Sequence, residues 1–307
     1  TYNFAVVVDD ASMNIDLVLR GDDHLSNTPR QVLYFQALDA KLPDFAHLPM
    51  VRGADGERLS KRHGATSVAE YRRSGYLPQG LLNALILLGW GPQGDDSNVL
   101  TRVAMLEKFS LDRVSRSPSI FDPAKLDWLS GRHIQALAPE DLAGPAARSL
   151  VVAGRLPDRA LEPGAESWRV GLARLVQDGV DRFDQVPERA AALFHPGGPS
   201  APEDPAVAEL LASGDTRKVL DTMLDVAAGG EPADLDAWKA YKKAVQTGSG
   251  VKGKGLFHTI RVALTGAVSG PELDRLVPLI GSGSALFPES VPSMASRIRA
   301  TLGQTGG

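Results

Sequence analysis

The strongest constraint on the fold is a change in the spacing of hydrophobic residues near residue 66. Before that point, short apolar runs at Val6–Val8 and Ile15–Leu19 alternate with a helical segment that follows Asn27-Thr28-Pro29. Short apolar runs are typical of buried strands, whereas apolar residues three and four apart indicate helices. After residue 66 the spacing is helical throughout. The sequence therefore predicts a mainly α fold with an N-terminal α/β portion that is too small for a complete doubly wound sheet.

Turn and cap residues divide this pattern further. We expect strands at Tyr2–Val8, at Ile15–Leu19 and at Leu48–Val51, the last followed by a turn at Asp55-Gly56. Proline at the first helical position predicts helices that begin at Leu77-Pro78 and Asp122-Pro123. The Pro- and Gly-rich residues near 196–206 predict a long loop or linker between helical segments.

Composition excludes several classes of protein. The chain of 307 residues has no cysteine, which excludes disulfide scaffolds, thiolate metal sites and cysteine nucleophiles. No apolar run approaches the ~18 residues that a membrane span requires. The 33 Lys+Arg and 37 Asp+Glu give a formal net charge of −4, which argues against a general nucleic-acid binder but allows a local basic face. Because the chain opens with Thr1 and an apolar run, we expect a piece of a longer protein; the alternative is a mature domain that begins with a strand.

Two basic segments are candidates for binding polyanions. Arg58-Leu59-Ser60-Lys61-Arg62-His63-Gly64 places cations on both sides of a hydroxyl group, which suits a phosphate; the alternative is a solvated or protease-sensitive loop. Residues 238–271 contain Lys239, Lys242, Lys243, Lys252, Lys254 and Arg261, and they contain no Asp or Glu. Trp238, Tyr241 and Phe257 are interleaved with these cations, as in surfaces that stack on single-stranded RNA; the alternative is a solvated helix face.

Arg20 is a candidate for binding a carboxylate. It ends the predicted strand Ile15–Leu19, and open α/β sheets bind ligands beyond the carboxyl ends of their strands. A guanidinium group there can pair with a carboxylate through two hydrogen bonds. The alternative is an ion pair within the chain, to Asp22 or Asp23.

Several of these segments together resemble one family. The basic loop is similar to the KMSKS signature of class I aminoacyl-tRNA synthetases, in the form found in bacterial glutamyl-tRNA synthetases. Arg20-Gly21-Asp22-Asp23-His24, Leu87-Leu88-Gly89-Trp90 and Arg261–Gly266 match the same family in the same order. The resemblance is dense over residues 1–134 and loose between about 138 and 235. The HIGH-type motif of the class is absent from the sequence, so we expect a C-terminal portion of such an enzyme.

The resemblance implies three regions and a set of site residues. Residues 1–54 would be the second half of a Rossmann-type catalytic domain, residues 55–137 the KMSKS loop and a helical stem-contact domain, and residues 138–307 an anticodon-binding region of one or two helical subdomains. The implied catalytic residues are Lys61, Arg58 and Ser60; ATP would also contact Arg62, Asp23 and Val51; glutamate would contact Tyr2 and Arg20; and tRNA would contact Arg261, Pro271, Leu273, Lys252 and Lys254. No residue is assigned to a metal. The family usually has Lys and Glu where this chain has Arg58 and Asp23, so the ATP geometry at these positions stays open.

The implied activity is ATP-dependent activation of L-glutamate to glutamyl-adenylate, followed by transfer to the 3′ end of tRNA(Glu). ATP would be a substrate, with Mg²⁺ as the counterion of its phosphates. The resemblance also implies a cytoplasmic monomer, and we expect the chain alone to be inactive. Two alternatives remain at this point: a non-catalytic tRNA-binding protein derived from such an enzyme, and a non-discriminating paralogue that also charges tRNA(Gln).

Overall fold

A computed structural model describes residues 2–59, 67–92 and 98–305. In these residues the chain folds into two pairs of short parallel strands and a series of helices. The chain divides into two compact units, Thr1–Ser130 and Gly131–Gly307. The strands all lie in the first unit: β1 (Leu17–Gly21), β2 (Asp44–Leu48), β3 (Val51–Arg52) and β4 (Ser119–Ile120). The predicted mainly α fold with an N-terminal α/β portion is confirmed.

The strand pairings place Arg20 beside a histidine. β1 pairs with β2 in parallel, and the register sets Arg20 opposite His47. β3 pairs with β4, with Val51 opposite Ser119. The predicted strand at Ile15–Leu19 is confirmed, displaced toward the C-terminus by two residues. The predicted strand at Leu48–Val51 is wrong, because Pro49 has no N–H group to continue the ladder, and the chain there forms the end of β2 and the start of β3.

The first segment is a helix, so the strand predicted at Tyr2–Val8 is also wrong. Helix α1 (Tyr2–Ser12) buries Val7 completely and turns Asn3, Val6 and Asp10 inward, a spacing of three and four residues. The apolar side chain of Phe4 lies on the exposed face. Apolar residues therefore lie on both the inner and the exposed face of this helix. The sequence lacks a helical apolar stripe, and its apolar run resembled a strand.

Two other helices of the first unit begin where the sequence predicts them. Pro78 opens α4 after Leu77, and the side chain of Asp122 accepts the backbone N–H groups of Ala124 and Lys125 at the start of α6. The helices are α2 (Thr28–Ala37), α3 (Val68–Arg73), α4 (Pro78–Ile86), α5 (Arg102–Lys108) and α6 (Pro123–Ala136), which crosses the boundary between the units. A core of Leu81, Ala84, Phe121, Leu126 and Leu129 holds α4 and α6 together.

All regular secondary-structure elements described in the second unit are helices. Its α-helices are α7 (Pro139–Val152), α8 (Glu166–Val176), α9 (Val186–Arg189), α10 (Pro205–Ala212), α11 (Gly214–Ala227), α12 (Leu235–Ser249), α13 (Gly253–Thr265), α14 (Leu273–Leu286) and α15 (Met294–Leu302). The loop predicted near 196–206 lies between Phe194 and α10. The interior of the second unit contains fully buried side chains, among them Leu172, Leu220, Trp238, Ile260 and Ile280.

Candidate functional site

The guanidinium group of Arg20 lies at the carboxyl end of β1 beside Thr28, Phe45 and His47. Its Nη2 donates to the Thr28 hydroxyl at 2.8 Å, and its Nε lies 3.3 Å from Nε2 of His47. The ring of Phe45, two residues earlier on β2, has its centre 5.5 Å from the guanidinium carbon. Arg20 forms no ion pair with Asp22 or Asp23, so that alternative is wrong. A half-buried cation with no carboxylate partner among the described residues is suited to binding an anionic ligand.

Tyr2 lies near the turn that follows β1. Its ring centre is 6.0 Å from that of His24, and 53% of the residue is exposed. The alternative interpretation of Tyr2 as an ordinary buried strand aromatic is therefore wrong. The helical geometry of α1, rather than strand geometry, places Tyr2 on the same side of the first unit as the 3₁₀ turn Asp22–Asn27.

Three residues assigned to ATP by resemblance lie close to one another. Nη2 of Arg58 is 3.4 Å from the Asp23 carboxylate, and the backbone N–H of Leu59 donates to the Val51 carbonyl at 3.3 Å. The longer Arg58 side chain thus reaches the shorter Asp23 carboxylate. With 72% of the Arg58 side chain exposed, this ion pair adds little stability. Ser60, Lys61 and Arg62 lie outside the described residues.

The basic stretch of the second unit differs from its prediction in one respect. Trp238 is fully buried and Tyr241 is 4% exposed, so these rings belong to the core and cannot stack on RNA bases. Only Phe257 of the three predicted aromatics has an exposed face, with 41% of the residue accessible. The indole N–H of Trp238 instead donates to the Asp274 carboxylate at 2.7 Å. This hydrogen bond, with the nearby Lys242, lowers the pKa of Asp274.

The lysines of the same stretch fall into two groups. Lys239 pairs with Asp236, and Lys242 pairs with Asp274 while lying 5.5 Å from the centre of the Trp238 ring. Lys243, Lys252 and Lys254 are exposed and form no ion pair with any residue that the structure describes. Lys252 occupies the N-cap position of α13 without a side-chain cap hydrogen bond, and Lys254 lies in the first turn. The second group is therefore the one available to phosphates.

Two of the three other predicted tRNA contacts lie together. Nη1 of Arg261 donates to the carbonyl of Pro271, and burial lowers the pKa of Arg261. Leu273 does not lie in a loop: it is the first residue of α14 and is only 6% exposed. Leu273, Leu276, Val277 and Ile280 form the buried face of that helix, which explains why the leucine points inward.

The residues that contact Arg20 and Lys242 were not predicted from the sequence. Thr28 and His47 were not predicted as partners of Arg20, and Asp274 was not predicted as the partner of Lys242. His47 lies 27 residues from Arg20 in sequence, and only the register of β1 and β2 brings them together. Among the described residues, no group of three or more His, Asp or Glu side chains is arranged to hold a metal ion. Within the same residues, none of the helices has the length and apolar character needed to cross a membrane.

Two family models match the chain in the order of its two regions. A model of the catalytic domain of class I tRNA synthetases (E and Q) matches residues 1–128, and a model of an anticodon-binding domain matches residues 146–286. Parallel strands with a cation at their carboxyl end, followed by this helical region, agree with both. The order of the two matches is that of a class I tRNA synthetase, in which a catalytic portion is followed by an anticodon-binding region.

Individual relatives that match the chain are glutamate–tRNA ligases. A glutamate–tRNA ligase of Natranaerobius thermophilus is 37% identical over 99% of this chain and 60% of that protein's length. A glutamate–tRNA ligase of Carboxydothermus hydrogenoformans is 39% identical over 93% of this chain and 58% of its own length. The crystal structure of a glutamate tRNA ligase from Elizabethkingia meningosepticum in complex with its amino acid has the same fold, with a TM-score of 0.76 and 22% identity over 100% of this chain and 60% of that one. The chain belongs to the glutamate–tRNA ligase family and spans about 60% of the length of these relatives.

Proposed function

We propose that this chain supplies the glutamate side-chain contact, the KMSKS-type loop and the anticodon-binding region of a glutamate–tRNA ligase. The complete enzyme would activate L-glutamate with ATP, release pyrophosphate and transfer the glutamyl group to the 3′ end of tRNA(Glu) in the cytoplasm. The first half of the nucleotide fold, with its HIGH-type motif, would come from the part of the relatives that has no counterpart here. The observation that carries the proposal is the placement of Arg20 at the carboxyl end of β1, with no carboxylate partner among the described residues.

Arg20 would select the substrate through its charge. A guanidinium that lacks an internal carboxylate partner gains a charge-assisted pair when the glutamate side chain binds. Glutamine offers only an amide, so binding it would leave the partly desolvated cation without its counter-charge. Sites of this kind reject the uncharged analogue strongly because their own polar groups are left unpaired. Tyr2, half exposed beside His24, would line the same pocket.

The ATP contacts rest on the family resemblance and on the cluster around Arg58. Lys61 would follow the phosphates as charge develops during adenylate formation, with Ser60 and Arg62 beside it. Arg58, Asp23 and Val51 lie at the base of this loop. No described carboxylate cluster suits a magnesium ion, so Mg²⁺ is assigned no ligand from this chain and no step is derived through it.

The tRNA contacts would come from the unpaired cations of the second unit. Lys252 and Lys254 at the start of α13 and Lys243 on α12 are exposed to solvent, as a phosphate-binding group must be. Arg261 and Pro271 would approach the anticodon bases. Leu273 would contribute through the placement of α14 and not by contact, since it is buried.

A pyrophosphate-exchange assay with glutamate and tRNA tests the proposal. It compares this chain alone with a restored protein, in which the missing catalytic half precedes it. We expect no exchange by the chain alone and clear exchange by the restored protein. Arg20→Gln should raise the KM for glutamate at least about 30-fold, the lower end of the cost of truncating one partner of a hydrogen-bonded charge pair, whereas the exposed Arg30→Gln on α2 should change it less than about twofold.

The same assay separates the alternatives. Lys61→Ala should slow exchange while the affinity for tRNA stays unchanged. If the restored protein bound tRNA but gave no exchange, the enzyme proposal would be wrong, and a non-catalytic tRNA-binding protein would be favoured. Charging of purified tRNA(Gln) by the restored protein would identify a non-discriminating enzyme.

A further inference from the structure

We propose that His47 and Thr28 are positioning residues that hold one side of the Arg20 guanidinium and thereby present its other side to the substrate carboxylate. The inference deepens the proposed function and rests on it, because it requires Arg20 to contact the glutamate side chain. Neither residue was singled out by the sequence pattern, and each lies on a different element: His47 on β2 and Thr28 at the first residue of α2.

The three side chains form a closed triangle of short contacts. Nε of Arg20 lies 3.3 Å from Nε2 of His47, and Nη2 of Arg20 lies 2.8 Å from the Thr28 hydroxyl oxygen. That oxygen is in turn 3.1 Å from the same His47 nitrogen. The two acceptors thus lie side by side along the Nε–Nη2 edge of the guanidinium. Since Thr28 is anchored in a helix and His47 in a strand, the edge is fixed by two independent elements.

This arrangement leaves a defined set of donors for a ligand. A guanidinium has five N–H groups in a planar fork, and the triangle uses the one on Nε and one on Nη2. The remaining groups, both on Nη1 and the second on Nη2, have no acceptor among the described residues. They form the end-on fork, which binds a carboxylate through two parallel hydrogen bonds.

The chemistry of the two acceptors explains why they suit this role. A carboxylate in place of His47 would orient Arg20 equally well, but it would neutralise the charge that the substrate must meet. An imidazole nitrogen and a hydroxyl accept hydrogen bonds without cancelling that charge. Nε2 of His47 can accept only when the imidazole is neutral with its proton on Nδ1, because a proton on Nε2 would face the N–H of Arg20. The hydrogen bond from Arg20 therefore requires the His47 tautomer that carries its proton on Nδ1.

The kinetic test uses the restored protein with four variants. We expect His47→Ala and Thr28→Val each to raise the KM for glutamate about tenfold, the lower range for losing a hydrogen bond to a charged group. The kcat and the KM for ATP should stay within about twofold. His47→Gln, whose amide oxygen can replace Nε2, should restore the KM to within about threefold of the parent. Asp44→Ala, an exposed change on the same strand, is the matched control and should leave all three constants unchanged.

A second measurement tests the triangle in the 307-residue chain itself. In ¹⁵N-edited NMR spectra, the Arg20 Nε–H should exchange with water at least about tenfold more slowly than that of the exposed Arg30. His47→Ala should abolish this protection, and His47→Gln should restore most of it. Equal exchange at Arg20 and Arg30 would overturn the inference, as would an unchanged glutamate KM in His47→Ala. If Arg20→Gln leaves the KM for glutamate unchanged, both the proposed function and the positioning roles are wrong. If Arg20→Gln raises this KM but His47→Ala and Thr28→Val do not, only the positioning roles are wrong.

Discussion

At the scale of single residues, Arg297 is the most deeply buried cation that the structure describes. Its side chain is 0% exposed and donates to the carbonyls of Pro292, Ala192, Leu264 and Leu193. Burial lowers its pKa to about 10, and Glu231 opposes that shift. The group is still charged at neutral pH, and the partial negative charge of the carbonyls compensates for its desolvation.

Replacing Arg297 should therefore destabilise the second unit strongly. Arg297→Met keeps much of the side-chain volume but leaves several buried carbonyls without donors, at about 1–3 kcal/mol for each group that water cannot reach. We expect the free energy of unfolding to fall by about 3 kcal/mol or more, measured by urea unfolding followed by circular dichroism. Arg299→Met on the same helix is exposed and should change it by less than about 0.5 kcal/mol. Equal effects of the two changes would contradict this account.

His195 gives the second unit a dependence on pH. Its Nδ1 accepts the backbone N–H of Gly197, and its Nε2 is 3.0 Å from the Ser200 hydroxyl. Burial, and then the charge of Arg297, lower its pKa below the usual value of 6.5. The unfolded chain therefore binds this proton more readily than the folded chain, so stability falls as the pH drops below 6.5.

The pH effect can be assigned with one variant. We expect the urea midpoint of the parent chain to decrease between pH 7.5 and pH 5.5, and His195→Asn to show a smaller decrease, because an amide oxygen accepts from Gly197 without titrating. Some decrease should remain, since burial also lowers the pKa of His133. An identical pH dependence in parent and variant would show that His195 is not the group responsible.

At the scale of elements, α12 and α13 carry two kinds of lysine. Lys239 and Lys242 pair with Asp236 and Asp274, whereas Lys243, Lys252 and Lys254 form no ion pair with any described residue. Lys252→Ala with Lys254→Ala should reduce the slope of log K against log salt for tRNA binding by about 2, roughly one for each lost phosphate contact. Lys239→Ala, which removes a lysine paired with Asp236, is the matched control and should leave the slope unchanged. Filter binding at several salt concentrations measures both. A decrease of about 1 in the control, the same change per lysine as in the double variant, would mean that general charge, and not placement, determines binding.

The elements also show what could be predicted from the sequence and why the rest could not. Cap residues such as Asp122, and prolines at the first helical position, act on neighbouring residues only. The helix starts that they define could therefore be predicted from the sequence. Arg20 was identified from its strand end and its chemistry, but His47 depends on the pairing of two strands. The prediction that Trp238 and Tyr241 stack on RNA is wrong. Aromatic residues that alternate with lysines give the same sequence pattern whether their rings point inward and are buried or point outward and are exposed. The direction is set by packing against α11 and α14, for example by the hydrogen bond from the Tyr241 hydroxyl to the Met223 carbonyl.

At the scale of the whole molecule, the net charge of −4 conceals an uneven distribution. The acidic residues lie outside residues 238–271, and within that stretch two of the six cations are already paired with Asp236 and Asp274. The charge that is available for tRNA is therefore smaller than the sequence suggested, but it is concentrated at the start of α13. This concentration, and not the total, determines how the protein should respond to salt.

The boundary between the regions also belongs to this scale, and it is open to a direct test. A division between residues 137 and 138 was predicted, whereas compact packing divides the chain after Ser130. Ile134, near the end of α6, is 1% exposed, and the Gln177 amide donates to the carbonyls of Ile134, Gln135 and Leu137. All of these residues lie in the second unit, so the last turns of α6 belong to its core.

Two fragments distinguish these boundaries. A fragment of residues 123–307 keeps the whole of α6, whereas a fragment of residues 138–307 removes Ile134 and leaves the Gln177 side chain without its three acceptors. Losing a buried isoleucine side chain costs about 2–5 kcal/mol, and the unpaired amide adds to this cost. We expect the longer fragment to unfold in one cooperative urea transition and the shorter fragment to be less stable by about 3 kcal/mol or more. Equal midpoints would place the boundary after residue 137, because they would show that α6 contributes nothing to the core of the second unit.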